Sequence, residues 1–333
     1  MRKILIIQTA FPGDVILATG IAEKLHIRYP DAATDFIVRQ GNEGLLQNHP
    51  FIRTVYTWQK KEKKYGSLLR ISRQIRKERY DAVINVHRFA SSGFLTWRSG
   101  AKIKAGFGKN PFSFCFTHKA EHHIGIGKHE TERNHDLIKF LTDDTPSKPK
   151  LYPSDNDYKK TAKYKSAPYI CIAPASVWFT KQYPAAKWAE VIRQAGNEYR
   201  IYMIGSHEDI AVCNEIINLC RGFQAESLAG SLSFLESAAL MRDAVMNFVN
   251  DSAPLHIASA MNAQVTAIFC STVPDFGFGP LSEISSVAEV QEQLDCRPCG
   301  LHGKEKCPEG HFRCAYGISA KDVLSLLRNT IQP

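Results

Sequence analysis

At 333 residues with 44% hydrophobic side chains, the chain is long enough for about two domains of ordinary size, each with its own core, which excludes a disordered or fibrous polypeptide. Forty-two Lys and Arg against 33 Asp and Glu leave a net charge of +9 with His neutral, which favours anionic partners without choosing among phosphorylated metabolites, nucleic acid and an acidic membrane surface. No run reaches the ~18–20 apolar residues of a membrane span, and the first segment breaks at Pro12, Gly13 and Asp14 before any signal-peptide cleavage pattern, so the expected location is cytoplasmic.

Short β-branched runs alternate with longer segments of helical period, the pattern of parallel sheets covered by helices on both faces. In the first half, strands are predicted at 3–8, 34–39, 54–58, 81–86 and 102–107, and helices near 17–29, 64–79 and 132–141. The strands read as near-continuous apolar runs because both faces of such a sheet are buried. The polar, proline-punctuated stretch 143–168 has the composition of a linker and separates a domain at 1–155 from a second at 165–333. Beyond it, strands are predicted at 168–174, 199–205, 245–251 and 264–270, and helices at 184–196, 208–220, 233–242, 254–261 and 319–330. The expected architecture is α/β, two Rossmann-like domains with parallel sheets facing across a cleft. The sequence shows no internal repeat.

Ligands in such sheets bind beyond the carboxyl ends of the strands, so the loops that follow strands carry the chemistry. After the first strand, Pro12-Gly13 turns the chain and Asp14 stands at the start of a helix, where it reads either as an N-terminal cap or as a catalytic base. No GxGxxG follows this strand, which argues against a dinucleotide-binding dehydrogenase. The loop 172–188 combines small residues with the Ser176 hydroxyl and the Lys181 ammonium, which is either a solvated charge or a phosphate ligand. In the loop 204–209, Glu208 suits a ribose or caps the next helix. The segment 249–274 is the most informative: Asp251 ends a strand, Ser252 stands ready to cap, Ala253 is small, and Pro254 preorganises the first helical turn, which also holds His256. Such a helix start suits a diphosphate.

Residues 58–80 carry nine Lys or Arg against two Glu, with Leu68, Leu69, Ile71 and Ile75 spaced for one buried stripe. This is either a solvated helix face or a basic surface for anionic headgroups and glycans, with Lys60, Lys61, Lys63 and Lys64 as candidate acceptor contacts. Five of the nine cysteines lie scattered among apolar stretches and suit reduced core thiols. The rest, Cys296, Cys299, Cys307 and Cys314, are spaced C-x2-C-x7-C-x6-C, which fits a structural zinc, with buried thiols or a redox-sensitive pair as alternatives.

The segments FPGDVILATGIAEKL, KQYPAAKWAEVI, NDSAPLHIASAMNAQVTAIF and STVP, in this order along the chain, resemble glycosyltransferase family 9, the heptosyltransferases of lipopolysaccharide core assembly. The resemblance implies a GT-B fold and metal-independent, inverting transfer of a sugar from a nucleotide diphosphate, typically ADP-heptose. The donor is expected on the second domain and a lipid-linked glycan acceptor on the first, with peripheral contact at the inner face of the cytoplasmic membrane. By motif matching, Asp14 takes the place of the catalytic carboxylate and Lys181 that of the phosphate-binding lysine. Asp251, Ser252, Ala253 and His256 match the sugar-nucleotide loop, Ser176 a hydroxyl position of the donor loop, and Glu208 and Leu232 adenosine-contacting positions. The sequence departs from the family at Ala253, where Gly is more usual. Two other classes compete: a non-catalytic nucleotide-sugar or glycan-binding protein on the same scaffold, and a zinc-dependent nucleic-acid or interaction module. The latter lacks a helix-turn-helix, an RNA-binding aromatic signature or zinc-finger spacing.

Overall fold

The computed structural model describes residues 1–331 and divides the chain into two compact units, Met1–Tyr152 and Pro153–Pro333. The last two residues of the predicted second domain, 332 and 333, lie outside the described residues.

The first unit runs β1 (Lys3–Ile7), α1 (Pro12–Arg28), β2 (Ala33–Arg39), β3 (Ile52–Trp58), α2 (Lys64–Glu78), β4 (Ala82–Asn85), α3 (Ala90–Ser99), β5 (Ile103–Phe107), β6 (His118–Ala120) and α4 (Glu130–His135). Its strands form one six-stranded sheet in the order β3-β2-β1-β4-β5-β6, all parallel. Leu5 and Ile7 of β1, Ile37 of β2 and Val83 of β4 pack with Leu68, Ile71 and Ile75, the stripe along α2 that the sequence spacing anticipates. Leu69, the fourth member of that predicted stripe, is exposed instead, one position round the helix from Leu68.

The second unit runs α5 (Asp155–Thr161), β7 (Tyr169–Ala173), α6 (Ala185–Ala195), β8 (Arg200–Met203), α7 (Ile210–Leu219), β9 (Ala225–Ser227), α8 (Phe234–Arg242), β10 (Met246–Asn250), α9 (Ala253–Ala260), β11 (Val265–Phe269), β12 (Ser285–Glu289), α10 (Arg313–Tyr316), α11 (Ala320–Val323) and α12 (Ser325–Ile331). Its sheet order, β12-β11-β10-β7-β8-β9, is again parallel throughout. Read outward from β7, it repeats the first unit's topology. Both sheets are of the doubly wound Rossmann type.

The differences from the sequence reading have local causes. Helix α1 begins at Pro12, several residues earlier than predicted, because a proline has no amide to leave unbonded and is preset for the first helical turn. Helix α3 is rich in Ser and Gly and went unpredicted. The hydroxyls of Ser92, Thr96 and Ser99 all donate to carbonyls one turn back, so they do not compete with the helix. Strands β6, β9 and β12 are short, half-polar edge strands with no apolar run to announce them. The predicted linker is partly folded: Ser154 and Asp157 cap α5, and Lys160 bonds Glu236 at the start of α8, which ties this segment to the second unit. The predicted helix at 132–141 is the latter part of α4, which starts at Glu130 and stops at His135, followed by turns, and the predicted C-terminal helix is split into α11 and α12. Among the described residues, no helix is long and apolar enough to cross a membrane.

Candidate functional site

In each sheet the chain winds one way from the first strand and the other way from the fourth, so the loops after β1 and β4, and after β7 and β10, open a crevice at the carboxyl edge. Asp14 lies in the loop-to-helix turn after β1. It is the third residue of α1, and its Oδ2 accepts the Phe11 amide at 3.1 Å, so it does cap the helix. The packing around it does more. Desolvation pushes the Asp14 carboxyl up to about 6, the charge of Glu130 adds to the rise, and the Phe11 amide and Arg88 oppose it.

Arg88 follows β4 and heads a chain of contacts. Its Nη1 lies 3.2 Å from His122 Nδ1, His122 Nε2 lies 3.2 Å from Glu130 Oε2, and Arg133 Nε donates to the same Glu130 oxygen at 2.7 Å. His122, Glu130 and Arg133 are buried, so the geometry around Asp14 is set by packed side chains. His87, beside Arg88, lies 2.9 Å from the Thr9 hydroxyl, and burial, with Lys60 and Arg88 nearby, pushes it down to about 4. It is neutral at physiological pH. Among the predicted acceptor lysines, Lys60 stacks on the Trp58 ring and is lowered first by burial and then by the charges of Arg39 and Lys64. Arg39, at the end of β2, in turn feels Asp14. All four predicted acceptor lysines are exposed; the charges of Lys60 and Lys64 are felt together with those of Arg39 and Arg88 at this strand edge.

On the second unit, Lys181 follows β7 and Asp251 follows β10, and the sheet brings them together: Nζ lies 2.7 Å from Asp251 Oδ2, with the side chains 15% and 8% exposed. The Thr272 hydroxyl, after β11, donates to the same oxygen at 2.6 Å. Asn250 fixes the loop from beneath, donating to Pro174 O at 2.6 Å and accepting the Tyr183 amide at 3.1 Å. Ser252 occupies the N-cap position of α9 but does not cap it. Its hydroxyl turns back to the carbonyls of Ala175 and Asn250, so the Ser252 oxygen does not cover the first amides of the helix, which begins at Ala253. His256 is buried in α9, edge-on to Phe278. Ser176 is half-buried in the Lys181 loop, where its carbonyl accepts from Gln182. Glu208 is exposed and Leu232 half-buried; their loops are joined by the Gly230 amide, which donates to Gly205 O at 3.0 Å.

The four clustered cysteines and His311 line one cavity of about 200 Å³. Cys296 Sγ lies 4.0 Å from His311 Nε2, and burial raises the Cys299 and Cys314 thiols, Cys314 to about 11. Among the described residues, no group of three or more His, Cys, Asp or Glu stands close enough to hold a metal ion. The segment has a structural role of its own. Lys304 O accepts the Thr180 amide at 3.1 Å, the Lys304 amide donates to Thr180 Oγ1 at 2.8 Å, and the Cys299 amide donates to Ser271 O at 2.7 Å. Gly303, at φ +77°, lies so close that a Cβ would stand 2.9 Å from Lys181 Cγ. The cysteine-rich loop therefore braces the loop that carries Lys181.

Arg39, Arg88, His122, Glu130, Thr180 and Thr272 escaped the sequence reading. For Arg39 and Arg88 a signal existed, since the first is a cation closing an apolar strand and the second stands in the loop just after one. Glu130 and His122 reach the site only through tertiary packing.

The profile of glycosyltransferase family 9 (heptosyltransferase) matches residues 68–308, well over half of the chain. Lipopolysaccharide heptosyltransferase 3 of Escherichia coli K12 is 29% identical over 285 residues, which cover 79% of this chain and 80% of that protein. The solved glycosyltransferase family 9 structure from Veillonella parvula superposes with a TM-score of 0.87 at 20% identity, over 98% of this chain and 96% of that one. The E. coli ADP-heptose lipopolysaccharide heptosyltransferase II structure gives 0.81 at 21% identity, over 98% of each chain.

Proposed function

The chain belongs to glycosyltransferase family 9 and is a glycosyltransferase of the heptosyltransferase type, and from that premise we propose that it moves a heptose from ADP-heptose to an anionic lipid-linked glycan of the lipopolysaccharide core, with inversion and without a divalent cation. The observation that carries this reading is the placement of the two charged sets: a carboxylate of raised basicity after β1, and a lysine held by an aspartate after β7 and β10. Each stands where a doubly wound sheet receives its ligand.

Asp14 takes the proton of the acceptor hydroxyl as its oxygen attacks the anomeric carbon, and the bond from that carbon to the diphosphate oxygen breaks on the opposite face. The electron pair leaves with ADP, which needs no proton. Lys181, His256 and the uncapped start of α9 meet the charge that develops on the diphosphate. Asp251 holds the Lys181 ammonium in place and presents its carboxylate to the sugar hydroxyls, and Ser176 and Ala253 line the donor loop. Glu208 and Leu232 flank the nucleoside. Lys60 and Lys64, with Arg39 and Arg88, receive the negative groups of the acceptor. No step is routed through a metal at the cysteine cavity.

Turnover of ADP-heptose compared with UDP- and GDP-sugars on a lipopolysaccharide core acceptor tests the donor, and NMR of the product's anomeric centre tests inversion. Equal turnover of all three nucleotides, or a product of retained configuration, overturns the reading.

A further inference from the structure

Away from the strand-edge crevice, the first unit presents four aromatic rings in one patch. Phe94 and Trp97 come from α3, and Phe112 and Phe114 from the loop after β5. Ring centroids lie 6.1 Å apart for Phe94–Trp97, 6.4 Å for Trp97–Phe112 and 5.8 Å for Phe112–Phe114. Trp97 is 48% and Phe114 74% exposed. Phe94 and Phe112 are half-buried, Phe94 against the core, so Trp97 and Phe114 carry the exposed part of the patch, and large rings left open to solvent beside one another mark a binding surface.

The patch is built rigidly. Asn110, itself buried, donates to the carbonyls of His87 and Phe89 at 3.1 and 3.0 Å and accepts the Phe112 amide at 2.9 Å. Gly93 lets this loop lie on α3, since a Cβ there would stand 2.2 Å from Asn110 Oδ1 and 2.7 Å from Phe112 Cβ. The two carbonyls that Asn110 holds belong to the residues on either side of Arg88, whose charge reaches Asp14, so the loop under the patch also steadies the loop that carries Arg88.

Its margin is cationic. Arg98 lies 6.0 Å over the Trp97 ring, and α2, packed against α3, exposes Arg70, Arg73, Arg76 and Lys77. Arg76 lies directly against Gly100 at the end of α3. The one acidic residue of α2, Glu78, is already bonded to Lys3 and Arg53. Rings that prefer the headgroup zone, beside exposed Lys and Arg, match an anionic bilayer surface, where the rings enter the interface and the cations meet the phosphates.

We propose that the Trp97–Phe114 patch with the adjoining face of α2 is a docking surface for an anionic lipid bilayer. Resting on the transferase reading above, this places the Asp14 crevice beside the membrane from which a lipid-linked acceptor is presented.

The full chain is mixed with phosphatidylcholine vesicles, with or without phosphatidylglycerol, and bound protein is measured by sedimentation. Binding is expected only to the anionic vesicles and to weaken at high salt. W97A/F114A and R73E/K77E should each reduce it about tenfold or more, with ADP affinity and melting temperature unchanged. Tryptophan fluorescence should shift to the blue on anionic vesicles, and Trp97→Phe should remove most of the shift while retaining binding. Failure of the wild type to bind anionic vesicles, or equal binding by W97A/F114A, overturns the proposal. So does a concentration-dependent dimer that W97A/F114A dissociates, which assigns the patch to a second copy of the chain. The vesicle assay contains no donor and involves no transfer, so its failure leaves the enzymatic reading standing, and ADP titration of the same samples checks that reading separately.

Discussion

Lys181 Nζ and Asp251 Oδ2, from loops seventy residues apart in sequence, stand 2.7 Å apart with both side chains mostly buried. The ammonium is therefore held in one position by a carboxylate that is itself fixed by Thr272. Lys181→Met removes the cation from the donor loop and leaves a buried carboxylate without it. ADP affinity should fall about tenfold or more, adenosine affinity should hold, and unfolding should become easier by about 1–3 kcal/mol. The double variant K181M/D251N should regain the stability and not the ADP affinity. Calorimetric titration and denaturant melts check both, and an equal loss for ADP and adenosine would assign the pair to general support of the loop.

Asp14→Asn separates the two roles of that residue. The amide can still accept the Phe11 N–H, so the cap survives, whereas the base does not. Transfer should fall about 10²–10⁴-fold. Because the folded carboxyl titrates near 6, above its ordinary value of 3.8, ionising it costs stability as pH rises through that window. The variant should therefore be more stable than wild type at about pH 7.5, by up to about 3 kcal/mol, with the gain vanishing below about pH 4. Thermal melts at the two pH values decide the matter: a less stable variant at neutral pH makes Asp14 chiefly a cap.

The acid limb of the kcat/KM profile should fall near pH 6, the point at which Asp14 loses its proton. Glu130→Gln deletes a charge that raises this value and should move the limb to lower pH. Arg88→Ala deletes one that lowers it and should move the limb upward. A limb that stays in place in both variants assigns it to another group.

Thr180→Val removes the hydroxyl that joins Lys304 and Ser271 and should loosen the brace behind Lys181. The expected result is a severalfold rise in KM for the donor, with kcat at saturating donor little changed. A change in kcat alone would exclude a bracing role.

Short exposure to EDTA should leave initial rates unchanged, because Lys181 and the start of α9 supply the positive field. An immediate loss restored by Mg²⁺ overturns the metal-independent route. Elemental analysis of the same protein reports separately on the cysteine cavity.

Asp14, Lys181 and Asp251 were legible in the sequence because each lies in the segment that leads from an apolar strand into the next helix, and a parallel sheet delivers all such segments to one edge. That Asp14 would be a tuned carboxylate was not legible. Its neighbours Arg88 and Glu130 lie far along the chain, and only the packing of α4 and the loop after β4 brings their charges to it. Ser252 shows the opposite failure. Its type and position both suit a cap, and the nearby carbonyls of Ala175 and Asn250 take the hydroxyl instead. Two Rossmann-like domains were legible from the alternation of strands and helices, but the strand order within each sheet was not, because it is set by crossovers between distant segments and leaves no periodic mark on the residues.

The central position of β1 also dictates an order of events during synthesis. Ile4 pairs with Thr34 on one side and Ala82 on the other, so the first strand to leave the ribosome has one partner early and the second only once β4 has been made. No hairpin can template such a sheet, since parallel neighbours need long crossovers, and closure over these separations is slow. All six strands of the first sheet precede residue 121, so this unit can complete its sheet while the second is still being translated. A nascent chain stalled before β4 leaves one edge of the KILII strand bare, a substrate for chaperones and a point from which truncated chains aggregate.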